Sequence, residues 1–436
     1  MGIYNFVSFV GVIVIAGFAW LCSSNRRVVN WRVVFWGIAL QIVVAVFVFV
    51  LPIGAKFFLF INNLVATVLD SAKEGAEFVF GRLALSPGET NDAGETSLGS
   101  FLAFQAFPTI IFFAALISAL YYLKIMPLVI RGFSYVFTRL MKISGAESLS
   151  ASSNIFVGVE SSLVIKPHLD DMTKSELTTV LAAGMGTIAS TVLALYVFTL
   201  QEQLPTIAGH LVSASLLSAP AAVVLSKLIM PETEKPKTLG VDVKPHYERE
   251  ENLIAAIING ANSGLRLLGG IITLLIAFLG LIALLDLILG WMGGHINHIF
   301  NLSFNWSIRS ILGYVFYPFT IILGVPPSDA FEIAKLLGER TVATEVVSYK
   351  ELAKLMADNA LVHPRSAIIA SYALCGFAHF ASLAIFVGGI SALAPKRMKD
   401  LSRVGLRALL AATLACLMTG AVAGIFYTSG SILLGG

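Results

Sequence analysis

The chain has 436 residues, 57% hydrophobic and 13% charged, with a formal net charge of +3 and a mean hydropathy of +0.85. A soluble chain carries about 25% charge, so this composition excludes a soluble enzyme, a disordered segment, a fibre and a secreted disulfide scaffold. The apolar residues run over nearly the whole length and the charge is too mild to attract nucleic acid, which leaves an all-α polytopic membrane protein.

A crossing helix takes about 20 mainly apolar residues. In chain order such stretches fall at 3–23, 31–52, 99–123, 174–197, 206–230, 268–292, 365–394 and 401–428, which predicts about eight transmembrane helices. The span 174–197 is interrupted by Gly, Ser and Thr, and 365–394 by Gly, Ser and a histidine. The first stretch lacks a basic leader and a small-x-small cleavage site, so it is read as a span and not as a signal peptide. Arg26, Arg27 and Arg32 follow the first span; Lys124, Arg131, Arg139 and Lys142 follow the third. Lys227, Lys235, Lys237, Lys244 and Arg249 follow the fifth, and Lys396, Arg397, Lys399 and Arg403 the seventh, whereas 198–205 has no Lys or Arg. The positive-inside rule then places both termini on the periplasmic side of an inner membrane. Two amphipathic stretches, 56–70 and 126–142, predict helices lying in the headgroup plane; in the second, Val129, Phe133, Val136 and Leu140 form the apolar face. The charged, proline-bearing stretch 231–252 reads as a cytoplasmic linker between two halves.

Two segments are too polar for spans and too apolar for loops. Residues 146–171 (AESLSASSNIFVGVESSLVIKPHLDD) predict a helical hairpin that enters partway and returns, followed by a capping box at Thr173 and Glu176. Residues 325–354 repeat the plan, with a Pro pair, a capping pattern from Asp329 to Glu332, a break at Gly338 and then Thr344 and Glu345. Each hairpin precedes a span broken by small polar residues: Gly184, Gly186, Thr187, Ser190 and Thr191 in the first half, and the stretch from Cys375 to Ser382 in the second. By the loop count the first hairpin enters from the cytoplasm and the second from outside. An inverted repeat with broken helices points to a secondary transporter with a site at the midplane.

A carboxylate at mid-membrane is costly, about 2.5–3.5 kcal/mol on insertion scales, so Glu160 and Glu345 need a partner or a task. Each is suited to gripping paired hydroxyls, because a carboxylate accepts two hydrogen bonds at once; the plainer reading is a hydrated helix-end glutamate. His379 shares a helix face with Ser382 and is positioned to donate to a substrate or to titrate. Asn154, Thr187 and the carbonyls freed at a helix break are hard oxygen ligands suited to Na+. His295 and His298 have metal-like spacing without a third ligand, and Gly293-Gly294 reads there as a loop. The stretches Asn301-Leu302-Ser303 and Asn305-Trp306-Ser307 match the low-specificity glycosylation pattern. The three cysteines show no metal or redox spacing, no organic cofactor motif is present, and neither a Walker loop nor a hydrolase motif occurs.

The strings PTIIFFAALISALYYLKIMPLVIR (108–131), SSNIFVGVESSLVIKP (152–167), MTKSELTTVLAAGMGTIAS (172–190), LIMPETEKP (228–236) and ALCGFAHFASLAIFVGGISALAPKR (373–397) resemble the concentrative nucleoside transporter family, from Leu98 to about Ala394. The resemblance implies eight spans, two re-entrant hairpins, a homotrimer in membrane lipid, and nucleoside uptake by an elevator-like movement driven by Na+ or, in some members, H+. It implies a Na+ site on Asn154, the Val157 carbonyl, Thr187 and the Ile188 carbonyl. It implies ribose contacts at Glu345, His379 and Ser382 with Phe377 lining the pocket, and base contacts at Gly158, Val159, Glu160 and Val192. The chain departs from the family pattern at the first hairpin tip, where Gly158-Val159-Glu160 is one residue shorter than the common Gly-Gln-Thr-Glu run and Ser161-Ser162 follows in place of a later Pro. His379 stands where Asn is common, and Thr187 where Ser is common.

The expected organisation is N-terminal scaffold spans and an interfacial helix (1–125), a first transport repeat (126–230), the linker (231–252), a scaffold span with interfacial segments (253–324) and a second transport repeat (325–436). The expected function is Na+-coupled nucleoside import across the inner membrane. The alternative transport reading is H+-coupled carriage of a modified nucleoside or a nucleobase-related solute. An intramembrane enzyme using Glu160 or His379, and a channel, are the rivals from other classes; the two-sided broken repeat argues against both.

Overall fold

The computed structural model describes residues 2–91, 94–246, 250–301 and 303–428. Arg249, Leu302 of the first glycosylation pattern and the last eight residues of the second predicted repeat lie outside them. Among the described residues the fold is helical, with no named strand.

The N-terminal helices are α1 (Ile3–Leu21), α2 (Trp31–Phe49) and α3 (Pro52–Phe80), followed by α4 (Leu102–Gln105), α5 (Phe107–Tyr122) and α6 (Ile125–Met141). The predicted amphipathic stretch 56–70 is the middle of the longer α3, which by length and composition alone is sufficient to cross a bilayer. In α6 the packed face is Met126, Ile130, Phe137 and Met141, while Val129 and Val136 of the predicted apolar face turn outward. An apolar face directed away from the protein beside exposed Arg131 and Arg139 is what a helix at a lipid boundary presents.

The first half then supplies a hairpin, a broken helix and an unbroken helix: α7 (Gly145–Ser153) and α8 (Ser161–Val164), α9 (Lys174–Gly186) and α10 (Ser190–Leu200), and α11 (Ile207–Ile229). After α12 (Leu253–Phe300) and α13 (Ile308–Ile322), the second half supplies the same series: α14 (Pro327–Val342) and α15 (Glu345–Ala357), α16 (Pro364–Ala373) and α17 (Phe380–Leu393), and α18 (Met398–Phe426). The halves interlock, α9 and α11 packing on α18 and α10 on α15; α1 lies against α18, α2 against α11, and α5 against α12. The predicted capping box opens α9: Thr173 Oγ1 accepts from Glu176 N at 3.1 Å and the Glu176 carboxylate accepts from Thr173 N at 2.8 Å.

Three local expectations are corrected. The second hairpin does not break at Gly338; α14 runs through it and stops at Val342, and a Cβ on Gly338 would stand 2.5 Å from Leu312 Cβ, so this glycine clears room for α13. Gly293-Gly294 is not a loop either, because α12 continues to Phe300 and Gly293 seats the Trp306 ring; His295 and His298 are exposed on that helix. Asp329 makes no cap with Glu332. Its carboxylate accepts from Val362 N and His363 N at 3.0 Å each and from Ser366 Oγ at 2.6 Å, which ties the start of the second hairpin to the start of α16.

The linker is docked, not free. Gly145 N donates to Thr238 O at 2.8 Å, Gly240 N to Ile143 O at 3.2 Å and His246 N to Val164 O at 2.9 Å, so residues 238–246 pass across both arms of the first hairpin. Exposed ion pairs Arg131–Asp242 and Lys237–Asp171 flank this crossing, and the Lys237 hydrogen bond holds the Asp171 carboxyl below the usual range.

Candidate functional site

Both broken helices stop because their next residues leave helical geometry, and the hairpin tips pack against the breaks. Thr187 is extended (φ −120°, ψ 167°), and Ser190 N donates to Phe156 O at 3.0 Å, which joins the break between α9 and α10 to the first hairpin tip. Asn154 closes that tip: its Nδ2 donates to Ser150 O at 2.9 Å and its Oδ1 accepts from Ser161 Oγ at 2.9 Å.

In the second half, His379 is the N-cap of α17. Its Nδ1 accepts from Ser382 N at 3.1 Å, which places the ring proton of the neutral imidazole on Nε2. Nε2 stands 3.0 Å from the Glu345 carboxylate, itself the first residue of α15. The other Glu345 oxygen accepts from Tyr196 Oη at 2.6 Å. Ser382 Oγ donates to the His379 and Phe377 carbonyls, fixing the turn between α16 and α17. Two half-helix N-termini thus meet beside one buried carboxylate, an arrangement that stabilises negative charge.

All of the residues expected at the substrate site line a single cavity: Gly158, Val159 and Glu160 from the first hairpin tip, Val192 from α10, Glu345 from the second hairpin, and Phe377, His379 and Ser382 from the α16–α17 break. Thr191, Thr344, Phe386 and the α12 stripe Leu267, Ile271 and Leu274 complete the wall. Glu160 and Thr191 also line a second, larger cavity that runs past Tyr121, Lys124 and Lys166 to His246 on the linker. Glu160 and Thr191 are thus the shared wall between the candidate cavity and the one that reaches the linker.

Sequence reasoning missed Tyr196. Tyr196 and Tyr349 are fully buried and stacked with centroids 4.6 Å apart, and Tyr349 Oη donates to Ser371 O at 2.8 Å, so Glu345 rests on an aromatic pair drawn from both halves. A tyrosine in an apolar run carries no positional signal. The Leu267, Ile271 and Leu274 stripe did carry one in its helical spacing, within a span otherwise apolar all round.

Asn154, Val157, Thr187 and Ile188 are all buried, and the Phe156–Ser190 bond brings their two segments together. Their donors suit an alkali cation. The Thr187 hydroxyl gives its proton to Ala183 O at 2.8 Å, which leaves its lone pairs for a cation, and Asn154 Oδ1 keeps one acceptor position. Among the described residues no group of three His, Cys, Asp or Glu could hold a metal ion.

The chain matches the families described as Na+ dependent nucleoside transporter N-terminus over residues 10–83, nucleoside recognition over 103–203, and Na+ dependent nucleoside transporter C-terminus over 210–424. It is 38% identical to solute carrier family 28 member 3 of Mus musculus, over 98% of this chain but 59% of that protein, so it spans under two thirds of that relative. It is 35% identical to the nucleoside permease NupC of Helicobacter pylori over 96% of this chain and 97% of the permease. An uncharacterized Bacillus subtilis transporter, YutK, is 38% identical over 95% and 98% of the two chains. Among solved structures, CNTnw in an inward-facing substrate-bound state superposes with TM-score 0.86 at 33% identity, covering 97% of this chain and 98% of that one. A CNTnw variant in an outward-facing state superposes with TM-score 0.87 at 32% identity over 98% and 99%.

Proposed function

The chain belongs to the Na+-dependent nucleoside transporter family, a multi-pass membrane family of carriers, and from that premise we propose that it imports nucleosides across the inner membrane by Na+ symport. The observation that carries this reading is the convergence of both hairpin tips and both helix breaks on one cavity, with a carboxylate, an imidazole and a hydroxyl at one end. Glu345, His379 and Ser382 offer acceptors and a donor in the mixture that ribose hydroxyls need. Phe377 closes the wall beside them.

Na+ binds first, at Asn154, Val157, Thr187 and Ile188. It organises the tip of the first hairpin and the break between α9 and α10, and the same tip then lines the substrate cavity; coupling follows from the shared element. The two repeats move as one body past α5 and α12, which pack on each other, in an elevator-like step. The exposed apolar surface of α12, including Ile276, Leu284 and Leu287, is assigned to the contact between subunits of a homotrimer. The basic loops support a cytoplasmic linker and periplasmic termini.

A second reading, H+ coupling, is favoured by one observation: Glu160, Glu345 and His379 all line the cavity. Proteoliposomes decide between the two. Uptake of labelled nucleosides driven by an imposed Na+ gradient supports the Na+ site; accumulation driven only by a pH gradient transfers coupling to the glutamates and His379. Absence of uptake of every nucleoside, with folded protein, overturns the substrate class.

A further inference from the structure

We propose that this cavity selects guanine nucleosides, with Glu160 as the residue that reads the base; this rests on the nucleoside reading of the same site. The two ends of the cavity differ in chemistry. At one end Glu345 already accepts from Tyr196 and faces His379, with Ser382 and Thr344 beside it, so donors and acceptors alternate as sugar hydroxyls require. At the other end the wall is Val159, Ala189, Val192 and Ile271, apolar surface for the flat faces of a base. The polar side chains there are Glu160 and Thr191. Glu160 is exposed to the cavity, and among the described residues no other side chain holds its carboxylate.

An ionised carboxylate only accepts, through two oxygens side by side. It is fully matched by a base edge that presents two adjacent donors and no lone pair between them. Guanine does this with N1–H and its 2-amino group. Adenine and cytosine each set one amino donor next to a ring-nitrogen lone pair, and uracil sets one N–H between two carbonyls, so each turns an acceptor toward the carboxylate. Guanine O6 is left over, and the Thr191 hydroxyl is the donor at that end of the cavity. Val159 brings no side-chain donor or acceptor to the tip.

The test is competition for labelled guanosine uptake into proteoliposomes holding the full chain. Hydrogen bonds to a charged group are worth about 10- to 100-fold in affinity, so guanosine is expected to compete that much better than uridine, cytidine or adenosine, with inosine between. 7-Deazaguanosine is expected to match guanosine, since N7 is not read, while 1-methylguanosine loses the competition. Glu160→Gln, with one acceptor and one donor group, is expected to erase the guanosine advantage. Equal competition by uridine, or by 1-methylguanosine, overturns the proposal and leaves nucleoside transport standing. Failure of every nucleoside to be taken up or to compete overturns the transport reading as well.

Discussion

Glu345 accepts from Tyr196, faces His379 Nε2 at 3.0 Å and, in the proposed grip, takes the ribose hydroxyls, and an amide in its place keeps one acceptor oxygen where the carboxylate has two. Glu345→Gln is expected to reach the membrane in normal amounts and to lower nucleoside uptake by about tenfold or more, read by uptake normalised to folded protein. Uptake at the unsubstituted rate would remove Glu345 from the grip. Tyr196→Phe is the milder probe, because it preserves the stack on Tyr349 and deletes only the donor to Glu345. Substrate binding measured calorimetrically is expected to weaken by about 10-fold, with Na+ binding unchanged; unchanged substrate binding would make Tyr196 a packing residue. The difference between these two residues also marks what a sequence discloses at this scale. Glu345 and His379 stand out because ionisable groups are costly in an apolar run. Tyr196 sits in an apolar run where an aromatic ring is ordinary, so its hydrogen bond to Glu345 is visible only once α10 and α15 are packed together.

At the scale of elements, the residues 238–246 form a strap over the first hairpin, and its closeness depends on one missing side chain. A Cβ on Gly145 would lie 1.9 Å from Val241 O and 2.9 Å from Val243 Cγ2, against backbone that cannot swing aside. Gly145→Ala is expected to lift the strap, since the bonds Gly145 N to Thr238 O and Gly240 N to Ile143 O share that junction. Hydrogen exchange at the Gly240 and His246 amides should accelerate while exchange in α11 stays slow; unchanged protection would mean that the strap is held elsewhere. The cost is about 1–3 kcal/mol, the usual scale of overpacking. The hairpins, the capping box at Thr173 and the break near Thr187 were all legible, because caps and polar clusters are local signals. Gly338 and Gly293 were misread for a physical reason: a glycine frees the backbone to bend and equally removes a Cβ that would obstruct a neighbour. Only the position of Leu312 or Trp306 tells which. The docking of the strap was not legible in the linker, since its backbone bonds to the hairpin leave no trace in side-chain composition.

For the whole molecule the sequence predicts eight crossings with 56–70 at the surface, and the fold bears on that set through parity. Asn5 at the start of α1 donates from Nδ2 to Ile425 O and Tyr427 O at 2.8 Å each, at the end of α18, so the two chain ends lie on one face of the protein. An even number of crossings must separate them, and the two hairpins enter and return on the same side. The helices α1, α2, α5, α9 with α10, α11, α12, α16 with α17, and α18 already make an even set. A crossing by α3 would make the set odd. It would also carry Lys124, Arg131, Arg139 and Lys142 to the outer side, against the charge rule, and would bury Asp70, Lys73, Glu74 and Glu77 in hydrocarbon. Length and hydropathy alone admit α3 as a span, so parity and the charge rule carry the argument here. We therefore expect α3 to lie along the periplasmic surface. Ile53 and Phe78, near its two ends, are 72% and 93% exposed, and of the native cysteines only Cys22 is not buried. In a Cys22→Ser background, Ile53→Cys and Phe78→Cys should both react with an impermeant thiol reagent added outside intact cells. Labelling of one end from outside and of the other only after the membrane is opened would show that α3 crosses, and the shared face of the chain ends would then need a different set of spans.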